Sequence, residues 1–278
     1  MNGIKHILSG TGAGPKPDNG LRQYVEIIFA VLVAAILLKT FVIDAVHIPS
    51  PSMEGTILPG DYIVVNKVIY GASSPKYLPF SHAGFSLFKL PGLRNVERGD
   101  VVVFEFPENQ QEATETTPTY FVKRCVGRGG DIVSIENGIA LIDGNRLFPD
   151  DEVCRGDNFG PVSVPKQGDR ILLTPENYFQ WEMLISHEGH TIRRTTNSGI
   201  TIDGKPSNSY TIQKNYLFVL GDNRQHSYDS RFWGFLPEEN VVGKATFVYW
   251  SLNPSRAMSG AKDLFGIVRW NRIGTFIQ

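Results

Sequence analysis

The chain has 278 residues, 41% hydrophobic and 20% charged, enough apolar material for a real core and for one large or two modest domains. A net charge of −1 and a pI near 6.6 exclude a general nucleic-acid binder, which carries a basic stripe. Two cysteines, Cys125 and Cys154, are too few for a disulfide framework, lack metal-ligand spacing and are read as unpaired.

Residues 1–22 form a Gly- and Pro-rich tail carrying Lys5, Lys16 and Arg22. From Tyr24 to Ile43 the chain is almost wholly apolar, but Glu26 and Lys39 leave an uncharged core of twelve residues, Ile27–Leu38. A spanning helix needs about 20. The shortfall closes if Glu26 and Lys39 lie at the two headgroup levels, with Lys39 snorkelling outward. A cleaved signal peptide fits the same window, yet Lys39-Thr40-Phe41-Val42-Ile43-Asp44 offers no small-x-small cleavage site. A buried core helix is the third reading. The one adopted is an uncleaved transmembrane signal anchor over 23–44. The basic residues ahead of it keep the tail in the cytoplasm and put residues 45–278 outside it.

Pro49-Ser50-Pro51-Ser52-Met53 follows directly. Proline fixes φ and removes a donor, so the two prolines narrow the conformations of Ser50 and Ser52 and aim both hydroxyls. The alternative is a proline-rich linker, since serine and proline are common loop residues.

Strands and turns come next. Asp61–Lys67 follows Pro59-Gly60 and Val101–Phe106 follows Arg98-Gly99-Asp100, both β-branched runs launched from turns. Asn137-Gly138 and Asp143-Gly144, set between apolar alternations in 132–147, predict hairpins. Two excursions leave this meander. Residues 72–96 are Pro/Gly/Ser-punctuated with aromatics Tyr77, Phe80, Phe85 and Phe88, read as packing, and residues 148–214 are polar and loop-rich with a turn at Asp203-Gly204 and some strands of their own. Strand character resumes at Tyr216–Leu220 and Thr246–Leu252.

Within the strand-like Tyr120–Gly127, period two sets Phe121, Lys123 and Cys125 on one face and Val122, Arg124 and Val126 on the other. A lysine among apolar neighbours is usually an edge or snorkelling residue, but a desolvated lysine loses its charge preference and can act as a general base. A serine nucleophile needs such a partner. No Gly-x-Ser-x-Gly occurs, and His226 lies in a polar loop. That loop, Gly221–Gly234, follows an apolar strand and suits either a hydrogen-bonded network beside a site or a solvated turn.

Taken together these stretches resemble the ordered boxes of bacterial type I signal peptidase, the leader peptidase that cuts signal peptides from exported proteins. Pro49–Met53 is similar to its Pro-Ser-x-Ser-Met, Gly60–Lys67 to Gly-Asp-x-Ile/Val-x-Val-x-Lys, and Arg98–Val101 to Arg-Gly-Asp-Val. Lys123–Gly127 is similar to Lys-Arg-x-Val-Gly, and Gly221–Arg231 to Gly-Asp-Asn-Arg-x-x-Ser-x-Asp-Ser-Arg. The resemblance runs from Val46 to Val242. Gly55 and Gly129 stand where the family usually has proline, and Pro51 where it often has glycine between the serines. None of these departures removes a reacting group.

The resemblance implies Ser52 as nucleophile, Lys123 as general base, and Ser50 with the Ser52 backbone N–H as an oxyanion hole. It implies that Ser227 orients the lysine amine, and that Asp222, Asp229 and Arg231 pair with Arg124 to hold the lysine strand. Ile48, Met53, Ile57 and Val122 match the lining of small apolar pockets for Ala-x-Ala substrates. The expected fold is mostly β, antiparallel sheets anchored by one N-terminal transmembrane helix in the inner membrane of a bacterium. The partners implied are preprotein signal peptides and membrane lipid, with no nucleic acid, metal or other cofactor. Two other classes remain. A membrane-tethered all-β binding domain predicts no covalent chemistry at Ser52, and a soluble self-cleaving Ser/Lys repressor would need a DNA-binding head where the apolar segment stands.

Overall fold

A 22-residue helix, α1 (Gly20–Phe41), opens the part of the chain described by the computed structural model, which covers residues 20–71, 90–106, 120–147, 156–195, 199–256 and 264–278. The tail up to residue 19, the stretch 72–89 with Tyr77, Phe80, Phe85 and Phe88, and Cys154 lie outside the described residues. The chain divides into two units, Met1–Lys39 and Thr40–Gln278. In the first, the side chains from Arg22 to Lys39 are exposed on every side of the helix.

The second unit is built on a seven-stranded antiparallel sheet of β1 (Ile43–His47), β2 (Asp61–Asn66), β3 (Val101–Glu105), β4 (Tyr120–Arg128), β14 (Tyr216–Leu220), β15 (Leu236–Pro237) and β16 (Val241–Ser251). The order across it is β1-β2-β16-β3-β4-β14-β15. The β-branched runs expected at Asp61, Val101 and Tyr120 thus form its body. β16 bridges β2 and β3, with register shifts at Ala245/Phe247 and Val248/Trp250. Such bulges bend a strand and increase its twist. Two boundaries differ from expectation. Ile43 and Asp44, expected in the apolar anchor, belong to β1, where Asp44 faces Val65 of β2. β16 begins at Val241 rather than Thr246, because Gly243 and Ala245 leave space for close packing that propensity alone does not announce; a Cβ on Gly243 would lie 2.5 Å from the Asn66 carbonyl oxygen.

The 148–214 excursion carries strands of its own, as expected, the first of them joining the hairpins that precede it. β5 (Ile132–Glu136), β6 (Ile139–Ile142), β7 (Asn145–Arg146) and β8 (Phe159–Ser163) form a four-stranded sheet, followed by β9 (Arg170–Leu172) and α2 (Tyr178–His187). Three short strands, β10 (Ile192–Arg194), β11 (Ile200–Ile202) and β12 (Lys205–Pro206), pair with one another, and β13 (Ser209–Thr211) pairs with β9. The expected turns hold: Asn137, Asp143 and Asp203 take φ of 49°, 52° and 50°, ahead of Gly138, Gly144 and Gly204.

Three apolar cores result. One gathers β5, β6, α2 and the 192–218 strands, and includes Val126. A second joins Ile48, Met53, Ile57 and Val122 to Ile63, Val65, Val101, Val103, Val248 and Ile277. The third lies on the opposite face of the main sheet and holds Val102, Phe104, Cys125, Val219 and Trp233. β4 contributes a residue to each. The two-face reading of β4 therefore holds for Val122 and Cys125.

Candidate active site

The turn carrying Ser52 leaves β1 and is closed by backbone bonds, Glu54 N–H to Pro51 O at 3.0 Å and Ile57 N–H to Met53 O at 2.8 Å. It returns to β2 through Gly60, whose φ of 87° and whose approach to the Leu252 carbonyl leave no room for a side chain. Ser52 is buried at 7% exposure, and its Oγ lies 2.9 Å from the Nζ of Lys123. The same Nζ lies 3.0 Å from the Val122 carbonyl. Ser50 Oγ is 3.4 Å from Ser52 Oγ. Two of the serines and the lysine singled out from sequence thus meet at one point.

Lys123 is 3% exposed. Burial pushes its amine down to about 8, against the opposing pull of Asp229 and Asp222, which favour the charged form. An amine so placed is largely available as a base at mildly alkaline pH, and it stands within proton-transfer distance of a hydroxyl.

Loop 221–229 closes over this pair. Asn223 N–H donates to the Ser52 carbonyl at 3.1 Å, and its side chain reaches Glu54 Oε2 at 3.1 Å. Arg124 grips Asp222 with two bonds, Nε to Oδ1 at 2.8 Å and Nη2 to Oδ2 at 2.7 Å. Asp229 is fully buried and accepts from Gly221 N–H at 3.0 Å and from Arg231 at 2.8 and 2.9 Å, while capping α3 (Ser230–Trp233). Arg231 bonds Asp157 at 2.7 Å as well. So Asp222 pairs with Arg124 as expected, whereas Asp229 and Arg231 pair with each other, because the two-residue spacing lets the guanidinium fold back onto its own cap.

Ser227 behaves differently from expectation. Its hydroxyl is buried and has no hydrogen-bond partner among the described residues, so it does not bond the Lys123 amine here. It packs instead against Gly221: a Cβ at that glycine would lie 2.2 Å from Ser227 Oγ and 2.5 Å from the Ser52 carbonyl oxygen. The four apolar residues assigned to pockets do share one cluster, but Met53 and Ile57 are sealed in the core at 1% and 0% exposure, leaving Ile48 and Val122 nearer its surface.

One support is absent from the sequence reading. Asp61, fully buried, accepts from Leu58 N–H at 2.9 Å, Ser251 Oγ at 2.7 Å, Arg269 at 3.2 Å and Arg272 at 2.6 Å. Arg272 and Arg269 also hold the carbonyls of Thr56 and Pro59, at 2.9 and 2.6 Å. The C-terminal segment thereby ties down the far end of the serine turn. Arginines beyond the last matched box carry no motif; only an aspartate opening an apolar strand hints that Asp61 has buried partners. Among the described residues no group of three His, Cys, Asp or Glu side chains is arranged to hold a metal ion.

The model of the signal peptidase family, peptidase S26, matches residues 21–250. The chain is 30% identical to signal peptidase I of Haemophilus influenzae, over 85% of its own length and 72% of the relative's. It is likewise 30% identical to signal peptidase I of Aquifex aeolicus, over 83% and 85% of the two chains. A solved signal peptidase I of Enterococcus faecalis aligns over 56% of this chain and all of its own at 21% identity, with a TM-score of 0.29, a superposition too loose to bear on the fold.

Proposed function

This chain belongs to the signal peptidase family, peptidase S26, as a bacterial type I signal peptidase and serine endopeptidase, and we propose that it removes signal peptides after Ala-x-Ala-type sites with a dyad of Ser52 and Lys123. The observation that carries this reading is the 2.9 Å approach of a buried, charge-disfavoured amine to a buried hydroxyl.

In the proposed reaction neutral Lys123 takes the Ser52 Oγ proton as Oγ attacks the scissile carbonyl carbon. The carbonyl π pair moves onto oxygen, which the Ser52 N–H and the Ser50 hydroxyl receive. The tetrahedral species collapses, the C–N bond breaks, and the departing amine of the mature protein takes the proton back from Lys123. The signal peptide is left as an ester on Ser52. Lys123 then deprotonates a water, which attacks the ester and restores Ser52 Oγ–H. A protonated amine has three donors, and two acceptors, Ser52 Oγ and the Val122 carbonyl, already lie beside it. Ile48 and Val122 are assigned to the apolar wall facing the substrate, with Met53 and Ile57 packing behind them.

α1 is proposed as an uncleaved anchor in the inner membrane, in contact with lipid, with the catalytic unit outside the cytoplasm. Arg22–Phe41 gives 20 residues, the length a bilayer core requires, with an 18-residue window of mean hydropathy 2.2, and an apolar helix exposed all round is costly in water. The test is incubation of the purified full chain with a preprotein carrying an Ala-x-Ala site, the product mapped by mass spectrometry. A single cut after the second alanine is expected. An intact preprotein, or cutting that ignores both alanines, overturns the reading.

A further inference from the structure

Three distant parts of the site converge on a residue that no role has yet been given. Thr56 Oγ1 donates to Asp222 Oδ2 at 2.6 Å and accepts from Arg124 Nη2 at 3.1 Å, and Arg124 Nη2 itself reaches Asp222 Oδ2 at 2.7 Å. The three atoms close a ring of hydrogen bonds. One corner belongs to the serine turn, one to the strand carrying Lys123, and one to loop 221–229. The two bonds to Thr56 bridge 166 and 68 residues of sequence.

A hydroxyl suits this corner because its single oxygen both donates to a carboxylate and accepts from a guanidinium. Bonds to charged partners are the stronger kind. The ring has leverage over the nucleophile through two paths. Asp222 is followed by Asn223, whose N–H holds the Ser52 carbonyl at 3.1 Å, so the loop's position fixes the orientation of the peptide leaving Ser52. Thr56 also closes the turn itself, its N–H donating to the Met53 carbonyl at 3.1 Å, while its own carbonyl is held by Arg272 at 2.9 Å. Without the hydroxyl, Arg124 and Asp222 remain paired with each other, and the lysine strand stays joined to the loop. What is lost is the Thr56 tie from both to the serine turn, leaving the loop held there by Asn223, through Ser52 and Glu54.

We propose that Thr56 is a positioning residue, whose side-chain hydroxyl sets the register of the Ser52 turn against the Lys123 strand. It touches no reacting atom and acts through Asp222 and Arg124. The inference rests on the assignment of Ser52 as nucleophile. The ring makes no hydrogen bond to the amine, and Asp222 acts on Lys123 through a charge that loss of the Thr56 hydroxyl leaves in place, so that loss shifts the aim of the Ser52 hydroxyl and leaves the basicity of Lys123 as it was.

The test compares Thr56→Val, which keeps the shape and removes the hydroxyl, with Thr56→Ser, which keeps the hydroxyl, and runs Ser52→Ala beside them. All are full-length chains in detergent, assayed on a preprotein with an Ala-x-Ala site, with thermal unfolding recorded for each. Misplacement of reacting groups by about 1 Å can cost on the order of a hundredfold, so Thr56→Val is expected to lower kcat by roughly tenfold to a hundredfold, with KM within about twofold of wild type. The midpoint of its pH–rate profile should match the wild type's, and Thr56→Ser should recover most of the rate. Thr56→Ala serves in place of Thr56→Val if the latter does not fold. An unchanged kcat in the hydroxyl-free variant while Ser52→Ala is dead overturns the positioning role and leaves the nucleophile standing. A loss that Thr56→Ser shares, or one confined to KM, also overturns it. Cleavage by Ser52→Ala at the wild-type rate overturns the nucleophile assignment and this inference with it.

Discussion

Lys123 Nζ and Ser52 Oγ stand 2.9 Å apart although 71 residues separate them, and both are buried. Burial costs the charged amine its hydration, and the hydroxyl beside it offers a neutral partner rather than a counter-ion. The proton is therefore poised to leave Lys123 well below the pH at which an exposed lysine loses it.

The first prediction is a pH profile. With the amine at about 8, the fraction of unprotonated base grows as pH rises, so kcat/KM should climb from pH 6 and level off above about 9. Lys123→Arg should be almost inactive, since guanidinium stays protonated and cannot accept the serine proton. A profile flat from pH 6 to 10, or an active arginine variant, points to another base.

Stability should carry the mirror image of that titration. The folded-state value is about 8 against 10.5 for an ordinary lysine, so between those pH values the unfolded chain binds more protons than the folded one. Stability from this group therefore rises with pH across that window, and the deficit below it is on the order of 3 kcal/mol. Lys123→Met has no such group. Its Tm advantage over wild type should be largest below pH 8 and shrink toward pH 10.5; parallel curves would contradict the buried amine.

Ser50 separates an oxyanion donor from a turn residue. Removing one such donor costs on the order of 10²–10³ in kcat, with KM little changed because the bond is made mainly in the transition state. Ser50→Ala should show that split, and Ser50→Thr should recover much of the rate if the site admits a methyl. A folded Ser50→Ala with normal kcat returns the hydroxyl, 3.4 Å from Ser52 Oγ, to a local role.

Asp61 is the strongest test of what braces the turn. Neutralising a buried carboxylate that faces two arginines leaves their charges uncompensated, which typically costs about 3–5 kcal/mol. Asp61→Asn should lower the urea midpoint accordingly, with an unchanged slope. A midpoint equal to wild type would mean that Arg269 and Arg272 find other acceptors.

The orientation of the anchor is open to protease. A tag placed after Gln278 should be digested by protease added outside spheroplasts, and the intact mass should include 24–43. A protected tag reverses the topology.

Much of the site was legible because its chemistry is local in sequence. Pro49–Met53, Lys123-Arg124 and Gly221–Arg231 each bring their reacting or bracing groups within a few residues, and the turns at Asn137-Gly138 and Asp143-Gly144 declare themselves by the positive φ they require. α2 was not legible. Its apolar residues Tyr178, Leu184 and Ile185 are buried against strands distant in sequence, while Phe179 and Met183 are exposed, so no clean 3.6-residue stripe stands out. β1 was hidden by the apolar run before it, since hydropathy does not mark where a helix gives way to a strand. The reach of Arg231 to Asp157, and the hold of Arg269 and Arg272 on Asp61, depend on tertiary contacts that no single stretch encodes.

β4 carries Val122 into one core, Cys125 into another and Val126 into a third. A fluctuation that would admit water to the Lys123 amine and restore its ordinary basicity must loosen several of these contacts at once, so it resembles global unfolding more than local breathing. Amide hydrogens from Val122 to Val126 should accordingly be among the slowest in the molecule to exchange. On that expectation the proposed base rides on the part of the chain that opens last, and its lowered basicity lasts as long as the fold does.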